Sequence, residues 1–292
     1  MSDQPTEKPT RIKDLFLSLL LYPLPHHWIS RVVYFFARLR TGFKNPVIRW
    51  FVRQFQVDLA EAIYSKPEDY IHFNDFFTRK LKPNARPIAD GEQALISPVD
   101  GRISQIGSID AGTIVQAKGH NYSVAGLLGE DKNLAKQFHN GSFTTLYLSP
   151  RDYHRIHMPL AGNLQKMIYV PGRLFSVAPH TVRAIPKLFA RNERVVCIFD
   201  SARGLFSLIL VGAINVAAIE TVWHGLVTPP HHRRIAVTDY NNSDIQLAKA
   251  DEMGRFNMGS TVILLTSRTV EWLPEFKPGK AIKFGQRLAV AP

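Results

Sequence analysis

Residues 195–211 have the sequence VVCIFDSARGLFSLILV, which is two apolar runs separated by a polar stretch with one glycine. The runs 195–199 and 206–211 are rich in valine, isoleucine, leucine and phenylalanine, a composition that favours β-strands. Similar runs, set apart by Gly, Pro, Asn and Asp, recur after residue 66 at 94–99, 101–106, 142–148, 216–222 and 261–265. Helical patterns are few there, near 124–128 and 181–189. The sequence predicts an α+β protein with a mostly antiparallel, sandwich-like or barrel-like β body.

The first part of the chain has a different pattern. Residues 11–64 predict three helical segments, 12–21, 28–40 and 45–64, punctuated by prolines. Residues 11–55 hold eight basic residues and one acidic residue, so they carry +7 of the chain's formal charge of +12. They also hold ten aromatic residues. Basic, aromatic helices are typical of proteins that bind at a membrane surface. We therefore divide the chain into a helical unit at 1–65 and a β-rich body at 66–292.

The N-terminal helices allow two other interpretations. The helices could be a cap whose apolar faces pack on the body, and one set of helices could serve both roles. A nucleic-acid surface is disfavoured because the segment is too hydrophobic for a solvated binding face. The apolar run at 15–21 is shorter than the roughly 20 residues of a spanning helix, and no small-residue cleavage site follows it. We expect peripheral membrane association.

The only cysteine, Cys197, lies inside an apolar run and is predicted to be a buried core residue. A lone thiol cannot form an intrachain disulfide and fits a reducing compartment.

Three short segments carry residues suited to chemistry. Asp100 lies between two predicted strands, His154 and His157 follow the strand at 142–148, and Gly259-Ser260 immediately precedes the strand at 261–265. An acid, a histidine and a serine form the trio in which a base activates a hydroxyl nucleophile. Spacing along the sequence does not show contact in space, so a simple turn at Gly-Ser-Thr stays an open alternative.

A metal site is the other chemistry that these residues suggest. His154, His157 and Asp100 could supply two imidazoles and a carboxylate. However, the sequence around them offers no third histidine and no cysteine pair, and His231-His232 precede two arginines that would repel a cation. The sequence therefore predicts no metal site.

A series of motifs resembles the phosphatidylserine decarboxylase family, bacterial membrane-associated type. In chain order they are 73–79 (FNDFFTR), 98–101 (PVDG), 118–123 (KGHNYS), 147–159 (YLSPRDYHRIHMP), 171–177 (PGRLFSV), 188–194 (LFARNER), 211–213 (VGA), 220–223 (ETVW), 252–256 (EMGRF) and 259–261 (GST). They follow the family's order, and the resemblance extends over nearly the whole chain after residue 10. Two residues depart from its pattern: Met258 stands where leucine is usual, and Ala250 stands where glycine is expected.

The resemblance implies a pyruvoyl-dependent carboxy-lyase made as a zymogen. Ser260 attacks the carbonyl of Gly259, and the chain separates into a β-chain, residues 1–259, and an α-chain, residues 260–292, that begins with the pyruvoyl group derived from Ser260. That group forms a Schiff base with phosphatidylserine, and release of CO2 gives phosphatidylethanolamine. His157 is implied as the base, with Asp100 orienting it, and His154 is implied in decarboxylation.

The resemblance also implies partners and a location. The protein would be a β-chain/α-chain heterodimer, with further dimerisation left open, bound to the anionic cytoplasmic face of the cell membrane in phospholipid biosynthesis. No nucleic-acid partner is expected. Two other function classes remain distinguishable by the mass of the purified protein: a membrane-associated serine hydrolase that uses Asp100, His157 and Ser260, and a basic membrane scaffold. Either would remain one intact chain.

Overall fold

The computed structural model describes residues 25–117, 120–214, 218–229, 234–257 and 261–292. Several sequence-based predictions lie outside these residues, namely the helix at 12–21, part of the strand at 216–222, and Gly259 with Ser260.

Seven α-helices are present in the described part of the chain, and all but the first two are short. They are α1 His26–Ala37, α2 Lys44–Phe55, α3 Phe73–Phe77, α4 Val124–Leu127, α5 Lys132–Lys136, α6 Pro179–Ala184 and α7 Leu188–Arg191, with one 3-10 turn at Pro67–Asp69.

Eighteen strands make up most of the remaining regular structure in those residues. They are β1 Ala94–Ile96, β2 Gly101–Ser108, β3 Thr113–Ala117, β4 His120–Ser123, β5 Ser142–Tyr147, β6 Arg155–His157, β7 Gly162–Val170, β8 Arg194–Asp200, β9 Phe206–Val211, β10 Ile219–Thr221, β11 Gly225–Leu226, β12 Ala236–Asp239, β13 Gln246–Leu247, β14 Glu252–Phe256, β15 Thr261–Thr266, β16 Glu271–Trp272, β17 Ala281–Ile282 and β18 Arg287–Val290.

The strands pair antiparallel in four sheets, which confirms the predicted α+β, mostly antiparallel fold. The largest sheet has nine strands in the order β12-β7-β8-β9-β15-β5-β2-β17, with β13 also paired to β7. A four-stranded sheet has the order β11-β10-β14-β6, a three-stranded one β1-β18-β16, and β3 pairs with β4. Strand β15 is buried along its length between β5 and β9. The segment between β14 and β15 therefore joins the four-stranded sheet to the centre of the large one.

The predicted helix at 45–64 is too long. Helix α2 ends at Phe55 because Gln56 adopts a left-handed conformation with φ of 54°, and the Val57 amide bonds back to the Val52 carbonyl. The predicted helix at 181–189 is likewise two short helices, since Pro186 lies between them and Lys187 has a φ of 53°.

Helices α1 and α2 have both a packed and an exposed face. Ile48 and Phe51 of α2 pack in a small core with Tyr70, Phe76 and Phe77. Several large apolar side chains of the same region face solvent: Trp28 (66% exposed), Phe35, Phe36, Phe43 (75%) and Trp50. The helices that the structure describes include none with the length and apolar character needed to cross a membrane.

Candidate active site

The turn that leads into β6 positions both predicted histidines. The Asp152 side chain accepts hydrogen bonds from the backbone amide and the hydroxyl of Ser149, each at 2.7 Å, which closes the turn. His154 follows this turn and His157 ends β6, whose partner strand is β14. The amide of Phe256, the last residue of β14, donates to the His154 carbonyl at 3.1 Å. The histidine motif is thus fixed beside the chain that leads to the predicted cleavage site.

His157 is buried, and both of its ring nitrogens have partners. Nδ1 lies 2.8 Å from the Ala250 carbonyl oxygen, and Nε2 lies 3.0 Å from the Tyr153 hydroxyl. A carbonyl can only accept, so Nδ1 carries the proton and Nε2 accepts from the tyrosine. The ring also stacks on Phe284, with ring centres 3.8 Å apart. Burial lowers the pKa of His157, which favours the neutral imidazole, the form that can accept a proton at Nε2.

Asp100 has a different partner from the one that the sequence analysis assigned. Its carboxylate accepts from Arg86 Nε at 3.0 Å, from Arg86 Nη2 at 2.6 Å and from the Phe284 amide at 2.9 Å. It makes no hydrogen bond to His157, although both residues are described. In this structure Asp100 therefore does not orient His157 through a direct hydrogen bond. The link is indirect, since Phe284 binds Asp100 through its amide and stacks on His157 through its ring.

Arg86 also holds a second carboxylate. Its Nη2 atom lies 2.6 Å from Glu61, and Glu61 in turn accepts from Lys283 at 3.0 Å. The hydrogen bond from Arg86 is the main reason why the pKa of Glu61 is lowered to about 2. Arg86 and Asp100 are both buried, so this ion pair needs the exact hydrogen bonding that it has. Sequence analysis missed Arg86, which lies outside the family motifs.

His154 is fully buried, and only one of its two ring nitrogens has a hydrogen-bond partner among the described residues. Its Nδ1 lies 2.8 Å from the Asp152 carbonyl, whereas Nε2 has no hydrogen-bond partner in the described part of the chain. Its ring packs against Phe77 of α3 at 4.1 Å. Burial, with a smaller contribution from the charge of Arg79, lowers the pKa of His154 to about 3. At neutral pH the residue is therefore a neutral imidazole, and its Nε2 is available to a partner outside the described residues.

Ser260 and Gly259 lie outside the described residues, but the chain on each side of them is firmly held. Asn257 donates its amide to the Ala218 carbonyl at 2.9 Å, and its side-chain oxygen accepts from Asn74 at 2.8 Å. Thr261 begins β15, and its Oγ1 is buried without a partner among the described residues. The predicted cleavage site lies between these two anchors.

An open cavity of about 570 Å³ adjoins the site. Asp100, Tyr153 and Asp152 contribute to its lining, which also holds five basic residues: Arg79, Arg86, Arg102, Arg151 and Lys283. The described residues contain no cluster of three or more histidine, cysteine, aspartate or glutamate side chains that could hold a metal ion. The cavity lining also holds four acidic residues, Asp58, Glu61, Asp100 and Asp152, so its formal charges nearly cancel.

Ala250, the carbonyl partner of His157, is strained. Its φ is 73°, in the left-handed region that disfavours a residue with a Cβ atom. Position 250, where this chain has alanine instead of the expected glycine, therefore needs a positive φ. The residue at this position is also the one whose carbonyl orients His157.

Replacing Ala250 by glycine is expected to stabilise the protein. The change removes the strain at the Cβ atom and should raise the free energy of unfolding by about 0.5–1 kcal/mol, net of the flexibility that glycine adds to the unfolded chain. The measurement is denaturant unfolding in a Ser260→Ala background, where the chain is expected to stay single. Ala248→Gly is the control, because the φ of Ala248 is not positive. Equal destabilisation by both changes would contradict the strain argument.

The sequence of this chain matches two family models and is similar to those of several proenzymes. A family model described as phosphatidylserine decarboxylase matches residues 73–290, and a second, described as PSD, matches residues 16–56. A phosphatidylserine decarboxylase proenzyme of Alkalilimnicola ehrlichii is 56% identical over 91% of this chain and 93% of its own length. Proenzymes of the same name from Pseudomonas fluorescens (52% identical; 95% and 98% covered) and Pseudomonas aeruginosa (54%; 87% and 89%) are similarly related.

Proposed function

We propose, since the chain belongs to the phosphatidylserine decarboxylase family, that it is a proenzyme that cleaves itself and then converts phosphatidylserine to phosphatidylethanolamine and CO2. The observation that carries this proposal is the placement of His154 and His157 beside the strand that leads to Gly259-Ser260. Incubation of the purified protein with phosphatidylserine in detergent micelles should yield phosphatidylethanolamine. A fully processed protein that forms no such product would contradict it.

Processing requires a nucleophile and a base. In the proposed reaction the Ser260 hydroxyl adds to the carbonyl carbon of Gly259, the Gly259–Ser260 C–N bond breaks, and an ester replaces the amide. Loss of the Ser260 α-proton then breaks the ester C–O bond, which frees the carboxylate of Gly259 and leaves dehydroalanine. Its enamine tautomerises to the imine, which takes up water and releases ammonia and so leaves a pyruvoyl group at the start of the α-chain.

His157 is suited to the role of base. Its Nδ1 proton is committed to the Ala250 carbonyl, so Nε2 is the nitrogen that can accept a proton. The Tyr153 hydroxyl occupies Nε2 in this structure. A serine hydroxyl could replace the tyrosine hydroxyl, since both donate through an O–H group. Asp100 would act as a positioning residue, because it fixes the Phe284 backbone against the imidazole.

The described residues fit a pyruvoyl group at position 260. Two buried polar atoms near the ends of the intervening segment, His154 Nε2 and Thr261 Oγ1, have hydrogen-bonding capacity that no described residue uses. They are available to the group or to the substrate bound beside it. When present, a pyruvoyl group supplies a carbonyl system that accepts the electrons left on the α-carbon as CO2 departs. The residues that would surround it are His154, Thr261 and Asn257.

The α-chain would remain bound after cleavage. Strand β15 pairs on both sides with β-chain strands, β5 and β9, and β17 and β18 pair with β2 and β1. These contacts support a β-chain/α-chain heterodimer in the processed protein.

Replacing His154 by alanine is expected to leave self-cleavage intact and to slow decarboxylation by about 10²- to 10⁴-fold, the contribution usual for an acid or base. The reason is that His154 Nε2 has no hydrogen-bond partner among the described residues, whereas Nε2 of His157 accepts from the Tyr153 hydroxyl. The measurement is CO2 release per processed molecule from micellar phosphatidylserine, with His139→Ala as the control. Wild-type turnover by processed His154→Ala protein would remove the residue from the reaction.

The exposed face of α1, α2 and the loop between them is proposed to bind the surface of an anionic membrane, at the cytoplasmic side. Between residues 25 and 55 there are six basic residues and no acidic one. Arg31, Arg38 and Arg40 are exposed, as are the aromatic rings of Trp28, Phe36 and Phe43. Rings that insert at the headgroup level and cations that meet anionic lipid are the two forces that hold peripheral proteins. The buried face of α2 is at the same time a cap, since it packs on α3.

The double change Trp28→Ser and Phe36→Ser is expected to weaken binding to anionic vesicles at least about tenfold, because each ring contributes up to about 1.5–3 kcal/mol when buried. Self-cleavage should be unchanged. Point changes are preferable to a deletion of residues 1–55, which would remove Ile48 and Phe51 from the core beneath His154. The measurement is vesicle co-sedimentation, and Val115→Ser with Val237→Ser is the matched control of exposed apolar residues. Equal binding by both pairs would place the membrane contact elsewhere.

A further inference from the structure

The hairpin formed by β10 and β11 exposes two large apolar side chains although it is firmly held. Val222 is 52% exposed and Leu226 is 47% exposed. The Val222 amide donates to the Met253 carbonyl at 3.1 Å, and the Trp223 ring meets Phe199 of β8 edge to face, with ring centres 5.8 Å apart. The two apolar side chains therefore project from ordered structure rather than from a loose loop.

Val222, Leu226 and Glu220 lie on one face of the four-stranded sheet. Leu226 is the β-pairing partner of Glu220, and Val222 follows Glu220 by two positions, so the three side chains point the same way. Arg255 of β14 pairs with Glu220 on that face and forms an ion pair with it. Glu220 is the only acidic residue between 219 and 226. Residues 219–226, all of which the structure describes, therefore present no unpaired carboxylate that would repel an anionic surface.

Helix α1 lies beside the same face. It packs against α3, and Asn74 of α3 donates to the side chain of Asn257, directly after β14, at 2.8 Å. The hydrogen bond from Arg255 is the main reason why the pKa of Glu220 is lowered, and the charge of Arg38, directly after α1, adds to this effect. The hairpin therefore adjoins the α1 surface that is proposed to contact the membrane.

An anionic bilayer fits the combined surface. Arg38 and Arg40 are exposed at the end of α1, and cations next to apolar side chains suit the headgroup region, where phosphates lie close to acyl chains. A second copy of this chain is a less suitable partner, because two half-exposed side chains form a patch far smaller than the roughly 1,000 Å² of a stable interface. Resting on the proposed function, whose substrate is a membrane lipid, we infer that the β10–β11 hairpin is a second membrane contact that inserts Val222 and Leu226 at the headgroup level.

The hairpin contact would also orient the candidate active site. The Asn257 amide donates to the Ala218 carbonyl at 2.9 Å, so β10 begins beside the residue that leads to the cleavage site. Ala218 and Val222 are four residues apart, which is about 13 Å of extended chain at roughly 3.3 Å per residue. Two separate contacts, at α1 and at the hairpin, restrict the tilt of the protein on the surface. The start of β10 would then stay within about 13 Å of the bilayer contact.

The experiment places an environment-sensitive dye, NBD, on single introduced cysteines in the full-length processed protein. Cys197, the only native cysteine, is fully buried, so the introduced thiol reacts selectively. Leu226→Cys tests the hairpin, Trp28→Cys is the reference on α1, and Val115→Cys, exposed on β3, is the control. The vesicles contain equal parts of phosphatidylglycerol and phosphatidylcholine and no phosphatidylserine. We expect a blue shift of the dye, and its quenching by nitroxide-labelled lipid, at positions 28 and 226 but not at 115.

Vesicle affinity supplies a second readout. The double change Val222→Ser and Leu226→Ser should weaken binding to the same vesicles about tenfold, because two apolar side chains would no longer leave water on binding. Val115→Ser should not change the affinity. If the double variant fails to fold, the dye measurement decides.

Three outcomes separate the hairpin contact from the alternatives. A dye at position 226 that stays unshifted while the dye at position 28 responds would overturn the inference and leave the α1 contact standing. A shift at 226 that grows with protein concentration without vesicles would overturn it in favour of a second copy of this chain. A protein whose dye at 226 responds to vesicles as expected, but which leaves micellar phosphatidylserine unconverted, would refute the proposed function and support this contact.

Discussion

Replacing Ser260 by alanine is expected to give a full-length chain that neither cleaves itself nor decarboxylates phosphatidylserine. The hydroxyl oxygen of Ser260 is the only atom of that side chain that can add to the Gly259 carbonyl, so the effect should be a complete loss rather than a slower reaction. The pyruvoyl group cannot form either, because the elimination that gives dehydroalanine needs the Ser260 oxygen as the leaving group. Self-cleavage and decarboxylation are therefore both lost when this one oxygen atom is removed.

The Ser260→Ala chain is measured by denaturing electrophoresis and intact mass after prolonged incubation. Ser267→Ala, which changes a hydroxyl just after β15, is the matched control and should be processed normally. Folding of the Ser260→Ala chain is checked by its unfolding transition. A break between positions 259 and 260 in this variant would show that cleavage does not use the serine hydroxyl.

The second large effect is expected at His157. Its replacement by alanine removes the only proposed base and should slow self-cleavage by about 10²- to 10⁴-fold. Because wild-type protein would already be cleaved on purification, the rate is best followed during cell-free synthesis of the chain. His139→Ala is the control, since His139 is half-buried and outside the site. Cleavage of the His157→Ala chain at the wild-type rate would remove His157 from the role.

Asp100→Asn tests the indirect arrangement in the same assay. The asparagine amide group would turn donors toward Arg86 or the Phe284 amide, which are themselves donors. The Phe284 backbone should shift and release the ring that stacks on His157, so cleavage should slow strongly. Asp90→Asn, an exposed control, should not slow it. Normal cleavage in Asp100→Asn would show that the ion pair with Arg86 has only a structural role.

The strands were predictable because their residue types alone favour extended structure. The runs at 206–211 and 261–265 correspond to β9 and β15, and they are neighbours in the sheet, which no local pattern could show. Helix ends were less predictable. The termination of α2 at Phe55 depends on the left-handed conformation of Gln56, a residue with no strong preference for it.

The candidate site was predictable in its residues but not in its contacts. His154, His157 and Asp100 are recognisable from motifs. The ion pair between Asp100 and Arg86 was not predictable, because Arg86 lies outside those motifs. The Ala250 carbonyl reaches His157 across 93 residues of chain, so its importance follows only from the fold.

The central claim, self-cleavage that creates a pyruvoyl group, is tested most directly by the mass of the purified wild-type protein under denaturing conditions. Two chains should be found, corresponding to residues 1–259 and 260–292, and the smaller should be lighter than a peptide beginning with serine by the mass of one ammonia. Its amino terminus should resist Edman degradation. A single intact chain that decarboxylates phosphatidylserine, or a smaller chain with a free serine amino terminus, would contradict the account.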